Sequence, residues 1–522
     1  MTRADIEPIL HDIPAARQEA PRHYGAHPYF TRRPSNVVRA YIERYSVAGD
    51  TVLDPFGGSG VTAIEALLLG RCAVHNDLNP FANFITAAIA DTSISSTGPL
   101  RAAFEDVALK CKTEVENLDV ADETAINRVL ENVPLPTNIR LPRSSDAEFF
   151  FELFTPRQLA GLALIKTAID EESDQSIRNM LLLAWSASVA KLNKTFLSAK
   201  GRAESRGGSS IFSIYRYKVA SDVVELPIWQ TFVGRFSNIL AAKEDVLNHR
   251  SYYAQRAPSA PRIDSARQLR IVSHDAPDLL EELGVDTIDY IFTDPPYGGH
   301  IAYLDLSILW NHWLGFSVKH PEEEAIVGGD LRLSESHYKS KLRQSIETCM
   351  DLLRPDRWLT VVFQHWDVSY FETILDCIAA KGGMLKAAIT HDKDVIWSMH
   401  KKKNAESVLS GEMLLTFYKP QKKAAEPKSR VQPISFDELL DKHLRALPTS
   451  GFRTETLFNR LTIGAWEHRS LKNLTVGPEV MASGLRERGW NYDSAQHTWL
   501  KSSSVPTAEL ALTSAQTPDS AN

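Results

Sequence analysis

Three acids stand where apolar runs stop, and they are the residues of this chain best placed to do chemistry: Asp54, Asp77 and Asp294. The most demanding setting is that of Asp294, in "YIFTDPPYGGH" at residues 290–300. Tyr290, Ile291 and Phe292 read as the end of a buried strand, and Pro295 and Pro296 forbid its continuation because proline lacks the ladder N–H. A carboxylate, a proline-directed carbonyl and the flat ring of Tyr297 are therefore presented together at a strand's carboxyl edge. In open α/β sheets that edge is where ligands bind.

The other two acids belong to a strand, turn and helix pattern. "TVLDPFGGSG" at residues 51–60 is a short apolar strand, an acid and a glycine cluster that opens the helical run "VTAIEALLLGR". Gly57, Gly58 and Gly60 permit backbone conformations and close approaches that a Cβ would block, as a ligand lying across the loop requires. A phosphate-cradling loop would need G-K-[ST] after its glycines, and this one continues Gly60-Val61-Thr62. "CAVHNDLNP" then forms a second strand ending in Asp77, about 20 residues beyond the glycines, where doubly wound folds place the acid that binds ribose hydroxyls. Asp77 also stands where a cap for the helix "PFANFITAAIA" would be, and Asp54 where a turn residue would be.

Length and composition bound these readings. With 522 residues, 43% hydrophobic and 24% charged, the chain reads as an ordinary globular protein of roughly two or three domains. "MTRADIEPILHDIP" at the start lacks the apolar stretch of a signal peptide, and the longest apolar run, around "NMLLLAWSASVA", falls short of the roughly 18 residues a membrane span needs. The expectation is a cytoplasmic protein with no membrane partner. Cys72, Cys111, Cys349 and Cys377 lie far apart without a C-x-x-C pair, which predicts reduced, mostly buried thiols and no metal site. The formal net charge of −7 exerts no global pull on nucleic acid, so any such binding requires a local basic patch.

Taken together, "VLDPFGGSG", "NDLNP" and "TDPPY" resemble the S-adenosylmethionine-dependent methyltransferases that modify exocyclic amino groups of DNA bases, adenine N6 or cytosine N4. The resemblance implies an α/β fold with a Rossmann-like methyltransferase sheet, mostly parallel with an antiparallel last strand, and S-adenosylmethionine as cofactor. It implies that Asp54, Pro55, Phe56, Gly57, Gly58 and Gly60 hold the methionine part, Asp77 the ribose, and Asp275, in "LRIVSHDAPDLLEELG", the adenine. "HYGAHPYFTRRPSNVVRAYIERY" resembles the family's extra cofactor motif, with Tyr29, Phe30 and Thr31 as the contacts carried over. Asp294, Pro295, Pro296 and Tyr297 become the catalytic motif, acting on a base flipped out of double-stranded DNA. Tyr303 and His365 fall in segments that line the target pocket of similar enzymes, although a lone histidine at a strand edge is also an ordinary structural residue. Asp in place of Ser at the head of the catalytic motif favours adenine. Cytosine N4, guanine N2 of RNA, and an inactive nucleic-acid-binding subunit on the same fold are the alternatives, and the resemblance leaves room for a restriction or phage-defence partner.

These motifs assign residues 1–94 and 266–420 to the catalytic part. The roughly 200 residues between Asp77 and Asp275 exceed what one crossover helix needs, so residues 95–265 read as an inserted, mainly helical domain. In it, Thr155 and Pro156 mark a helix start. Residues 191–218, "KLNKTFLSAKGRAESRGGSSIFSIYRYK", carry seven Lys or Arg against the single acid Glu204, and add Phe196, Phe212, Tyr215 and Tyr217. This is the basic patch the net charge calls for, with rings for stacking, and Lys200, Arg202 and Arg206 are its predicted DNA contacts. In "AYLDLSILWNHWLGF", Leu306, Trp310 and Trp313 recur at helical spacing as a core stripe. Residues 421–522 comprise a Lys- and Pro-containing linker, a small module of two or three helices with an aromatic hairpin in the manner of a winged helix, and a polar tail.

Overall fold

The computed structural model describes residues 3–16, 22–91, 93–197, 208–256, 268–391, 409, 411–422, 432–474 and 476–501. Its central feature is a seven-stranded sheet made of β1 (Thr51–Asp54), β2 (Cys72–Asn76), β3 (Leu269–Val272), β4 (Ile288–Thr293), β5 (Leu353–Phe363), β6 (Met384–His391) and β7 (Glu412–Lys419). The strand order is β3-β2-β1-β4-β5-β7-β6. β7 runs antiparallel to both neighbours, while the other pairings are parallel. The chain's last sheet strand is thus the antiparallel one, and it enters between β5 and β6 rather than at the edge.

Among the helices, α1 (Ser35–Tyr45) leads into β1, α2 (Val61–Leu68) joins β1 to β2, and α3 (Pro80–Ala90) follows β2. The long segment before β3 contributes α4 (Gly98–Asn117), α5 (Pro156–Asp170), α6 (Gln175–Val189) and α7 (Ile228–Arg256). α8 (Tyr303–Leu314) and α9 (Glu335–Leu352) lie between β4 and β5, and α10 (Val368–Ala380) between β5 and β6. α11 (Phe436–Leu444), α12 (Thr454–Glu467) and α13 (Pro478–Glu487) precede the antiparallel hairpin of β8 (Trp490–Asp493) and β9 (Thr498–Lys501), to which Phe452 adds a bridge at Trp499.

Every residue of β4 is buried, and beyond a register shift in its pairing with β5 between Ile288 and Tyr290 its side chains alternate between two apolar layers, as strand geometry requires of a strand covered on both faces. Tyr290 and Phe292 join the layer that holds α1 and α2, whereas Ile288 and Ile291 join the layer that holds α9 and α10. The segments added to the sheet are continuous with these layers. α5, α6 and α7 share the first, where Trp185 of α6 meets Trp313 of α8 at 5.4 Å. α11 to α13 share the second, where Phe458 meets Trp366 at 5.0 Å. Leu306, Trp310 and Trp313 are all buried, and Trp310 stacks on Phe81 of α3 at 4.8 Å. The Thr155 hydroxyl accepts from the Gln158 N–H at 3.2 Å, with Pro156 opening α5. All four cysteines are free; Cys72 is half-buried and the others are buried. Among the described residues no helix is long and apolar enough to cross a membrane.

Candidate functional site

The strand order reverses between β1 and β4, so the loops leaving their carboxyl ends diverge and open a crevice, the usual ligand position in such sheets. Asp54 closes β1 and Asp294 follows β4, and both line this crevice together with Asp77, which follows β2. Tyr29, Thr31, Pro55, Phe56, Gly57, Gly58, Asp275, Pro296 and Tyr303 line it as well.

Each acid is held by the backbone or by a neighbour. Asp54, 5% exposed, accepts from the Thr62 hydroxyl at 2.7 Å and the Phe56 N–H at 3.1 Å, and burial pushes its pKa up to about 7. Asp77 accepts from the N–H groups of Gly58 and Asn79, each at 2.8 Å, and burial pushes it up to about 6. The cap of α3 is Asn79, whose side chain accepts from the Phe81 N–H at 3.2 Å, so Asp77 is left to the loop and the crevice. Asp275 is raised by burial but engaged by the Lys341 ammonium, which also pairs with Glu323. Asp54 and Asp77, both raised by burial, favour a cationic ligand in this crevice, because positive charge restores the ionised form that burial disfavours.

The glycines serve the loop's own packing. A Cβ on Gly57 would overlap the buried His75 ring, and one on Gly60, at φ +82°, would overlap Thr86 of α3. Gly58, at φ +52°, is the one whose Cβ would approach Tyr29, and its N–H reaches Asp77. Burial takes His75 down to about 4, so a neutral ring backs the loop. Phe30 packs on Tyr303 at 5.7 Å and on Phe212 of the inserted segment at 5.6 Å, and the Thr31 and Tyr303 hydroxyls lie 3.4 Å apart.

At Asp294 each carboxylate oxygen accepts one hydrogen bond from the chain itself. Arg33 Nε donates to its Oδ2 at 2.6 Å, and the Tyr297 hydroxyl donates to its Oδ1 at 2.6 Å. Pro295 is buried, and the Pro296 carbonyl accepts from the Tyr338 hydroxyl at 2.6 Å. The Tyr297 ring meets Phe363 edge-on at 5.2 Å. His365 lies just beyond β5 against Tyr370 at 4.5 Å; its Nδ1 accepts from the Asp367 N–H at 2.9 Å and burial takes it down to about 4. Of the predicted loop and motif residues, Phe30, Gly60, Pro295, Tyr297 and His365 are not among those that line the crevice, and Lys200, Arg202 and Arg206 lie outside the described residues. No group of three or more His, Cys, Asp or Glu able to hold a metal is found among the described residues.

Sequence reasoning missed Arg33, Glu412 and Lys341. The pair Arg32-Arg33 beside the aromatic motif was the available signal, but the two arginines do different work. Arg32 donates to the carbonyls of Tyr24 and His27 and, at 3.1 Å, to the Ser59 hydroxyl, bracing the glycine loop. Of the two, only Arg33 reaches Asp294.

Residues 10–87 match the family of N6/N4-type DNA methylases. The type II methyltransferase M.MjaII of Methanocaldococcus jannaschii is 29% identical over 73 residues, 14% of this chain and 14% of the relative. M.BsoBI of Geobacillus stearothermophilus, also a type II methyltransferase, is 24% identical over 304 residues, 55% of this chain and 52% of the relative. The chain therefore spans about half, or less, of these two relatives. Among solved structures, TrmN from Thermus thermophilus is similar with a TM-score of 0.25 and 9% identity, over 74% of this chain and 49% of that one. The rRNA methyltransferase aviRa from Streptomyces viridochromogenes follows with a TM-score of 0.23 and 13% identity, over 70% and 83%.

Proposed function

We propose that this chain, whose residues 10–87 match N6/N4-type DNA methylases and which is similar to two type II methyltransferases over part of its length, methylates the exocyclic amino group of a DNA base, adenine N6 in preference to cytosine N4. The observation that carries this reading is the meeting of Asp294 with Asp54 and Asp77 in one crevice at the sheet's switch point. S-adenosylmethionine, when bound, supplies an electrophilic methyl on a sulfonium, a cation that the Asp54 and Asp77 carboxylates suit. Asp54 and the loop after it hold its methionine end and Asp77 its ribose. Asp275, neutralised by Lys341, serves the adenine edge.

An aromatic amino nitrogen is a poor nucleophile because its lone pair is delocalised into the ring. Asp294 and the Pro295 carbonyl accept its two hydrogens, and the nitrogen becomes tetrahedral with its lone pair free. Bound S-adenosylmethionine would give its methyl to this lone pair and keep the bonding pair as a thioether, while the Asp294 carboxylate stabilises the positive charge that appears on nitrogen until one of its protons leaves to solvent. Preorganised interactions of this kind contribute about 3–4 kcal/mol each. Inside a duplex the amino group is inaccessible, so the base is flipped out, and Tyr297 and Tyr303 offer it aromatic faces. Residues 95–265 read the DNA in this proposal. Arg216, which pairs with Asp146, and Tyr215, at φ +53°, are exposed in the described part of the basic segment, whose Phe212 already packs on Phe30.

The test is modified-base sequencing of DNA from cells expressing the protein, paired with a labelled-methyl assay on that DNA. N6-methyladenine at a fixed sequence is expected. N4-methylcytosine alone would overturn the choice of base, and label entering only RNA would overturn the choice of nucleic acid.

A further inference from the structure

The guanidinium of Arg33 sits between two carboxylates and treats them unequally. Toward Glu412, the first residue of β7, it presents its fork: Nη1 pairs with Oε2, and Nη2 donates to Oε1 at 3.0 Å. Toward Asp294 it presents a single N–H, from Nε. Its Nη2 also donates to the Tyr297 hydroxyl at 2.5 Å. The side chain of Glu412 is 2% exposed and that of Arg33 14% exposed, so neither charge can be left to solvent. Burial opposes the charge of Arg33, but Asp294 and Tyr297 beside it hold its pKa above the ordinary arginine value.

This arrangement is a poor one in which to receive a base. Each oxygen of Asp294 already accepts one hydrogen bond, from Arg33 or from Tyr297, so an arriving amino hydrogen would share its acceptor with a charged or phenolic donor. A guanidinium against that carboxylate would also oppose the positive charge that develops on the nitrogen. Arg33 must therefore give up Asp294, and a buried arginine can do so cheaply only if a second carboxylate keeps it paired. Glu412 meets that need, since it already faces both terminal nitrogens of the guanidinium, accepting a hydrogen bond from Nη2 and pairing by charge with Nη1, whereas Asp294 is held through Nε alone. We propose that Arg33 is a positioning residue that holds the Asp294 carboxylate closed until a target base arrives, and that Glu412 is the counter-ion on which Arg33 is retained when Asp294 opens. The inference rests on the amino-methyltransferase reading above.

With Glu412 neutralised, Arg33 has only Asp294 to pair with, and the site stays closed. The variant Glu412→Gln should lower kcat by about tenfold or more, on the scale at which members of one ion-pair network couple. Cofactor affinity should stay within about twofold, because Asp54 and Asp77 are untouched. A duplex with 2-aminopurine at the methylated position, identified first with the wild-type protein, should brighten less on binding to this variant. Glu412→Asp should recover most of the lost rate. The decisive comparison is the double variant Arg33→Met with Glu412→Gln. Removing the arginine frees Asp294, so the double variant should turn over faster than Glu412→Gln alone, whereas a merely structural pair would show a further loss. A double variant slower than Glu412→Gln, or a Glu412→Gln protein with wild-type kcat and wild-type brightening, overturns the proposal. Failure of the wild-type protein to methylate any DNA overturns the functional reading instead, so the two failures are distinguishable.

Discussion

Cofactor binding should depend on pH, and the size of the dependence can be worked from the two acids that hold the cofactor. Burial raises Asp54 from its ordinary 3.8 to about 7 and Asp77 to about 6 in the free protein. A bound sulfonium holds both as carboxylates, so binding is linked to loss of protons and must weaken as pH falls. Going from about pH 8 to about pH 6, the ionised fraction of Asp54 falls from roughly 0.9 to roughly 0.1, about tenfold, and that of Asp77 about twofold. The dissociation constant should rise about 20-fold, ~1.8 kcal/mol. Titration calorimetry of S-adenosylmethionine binding at the two pH values, repeated in buffers of different ionisation enthalpy, reads both the affinity and the protons released. Asp54→Asn should bind more weakly at the higher pH and retain only the twofold Asp77 part of the slope. The same burial acts on stability with the opposite sign: an acid whose pKa is raised on folding costs the free protein stability as pH rises from about 4 to about 7, because the unfolded chain releases the proton first. Stabilisation by the cofactor in thermal melts should accordingly be larger at pH near 8. An affinity that is flat across this range, or a wild-type slope in Asp54→Asn, would refute the assignment of Asp54 to the cation.

Asp294→Ala should leave cofactor affinity largely intact and reduce methyl transfer at least about 100-fold in a labelled-methyl assay, the loss expected for one preorganised charge interaction; near-normal turnover would remove Asp294 from the mechanism. Replacing Lys200, Arg202 and Arg206 together with neutral residues should flatten the salt dependence of DNA binding by about 0.9 log unit per lost phosphate contact, and an unchanged slope would move the DNA-reading surface to the C-terminal module. Glu65, fully buried in α2, accepts from Arg39 Nε at 2.6 Å and from the Tyr24 hydroxyl at 2.7 Å, so Glu65→Ala should destabilise the fold by about 3 kcal/mol through the partners left behind, with a melting shift under about 0.5 kcal/mol counting against a structural role.

Much of the site was written locally. The prolines after Asp294 and the glycines after Asp54 end their strands by short-range rules, the strand before Asp77 shows as an apolar run, and in an open α/β sheet the carboxyl ends of parallel strands lie along one edge. Local rules left two roles ambiguous, and packing resolved them. Asp77 stood where a helix cap would be, and the structure gives the cap to Asn79. The glycines at positions 57 and 60 looked like room for a ligand, and their missing Cβ atoms make room for His75 and Thr86.

What the sequence could not disclose was which charge faces which. Arg33 meets Asp294 across 261 residues and Glu412 across 379, and Lys341 meets Asp275 across 66. A charged side chain carries no periodicity that names its partner. Strand endings are dictated by the backbone chemistry of the residues that form them, so the three acids could be found by reading along the chain. The pairing of Arg33 depends on β7 entering the sheet beside β5, which delivers Glu412 to Arg33, and that placement is decided only when the two apolar layers close over the sheet.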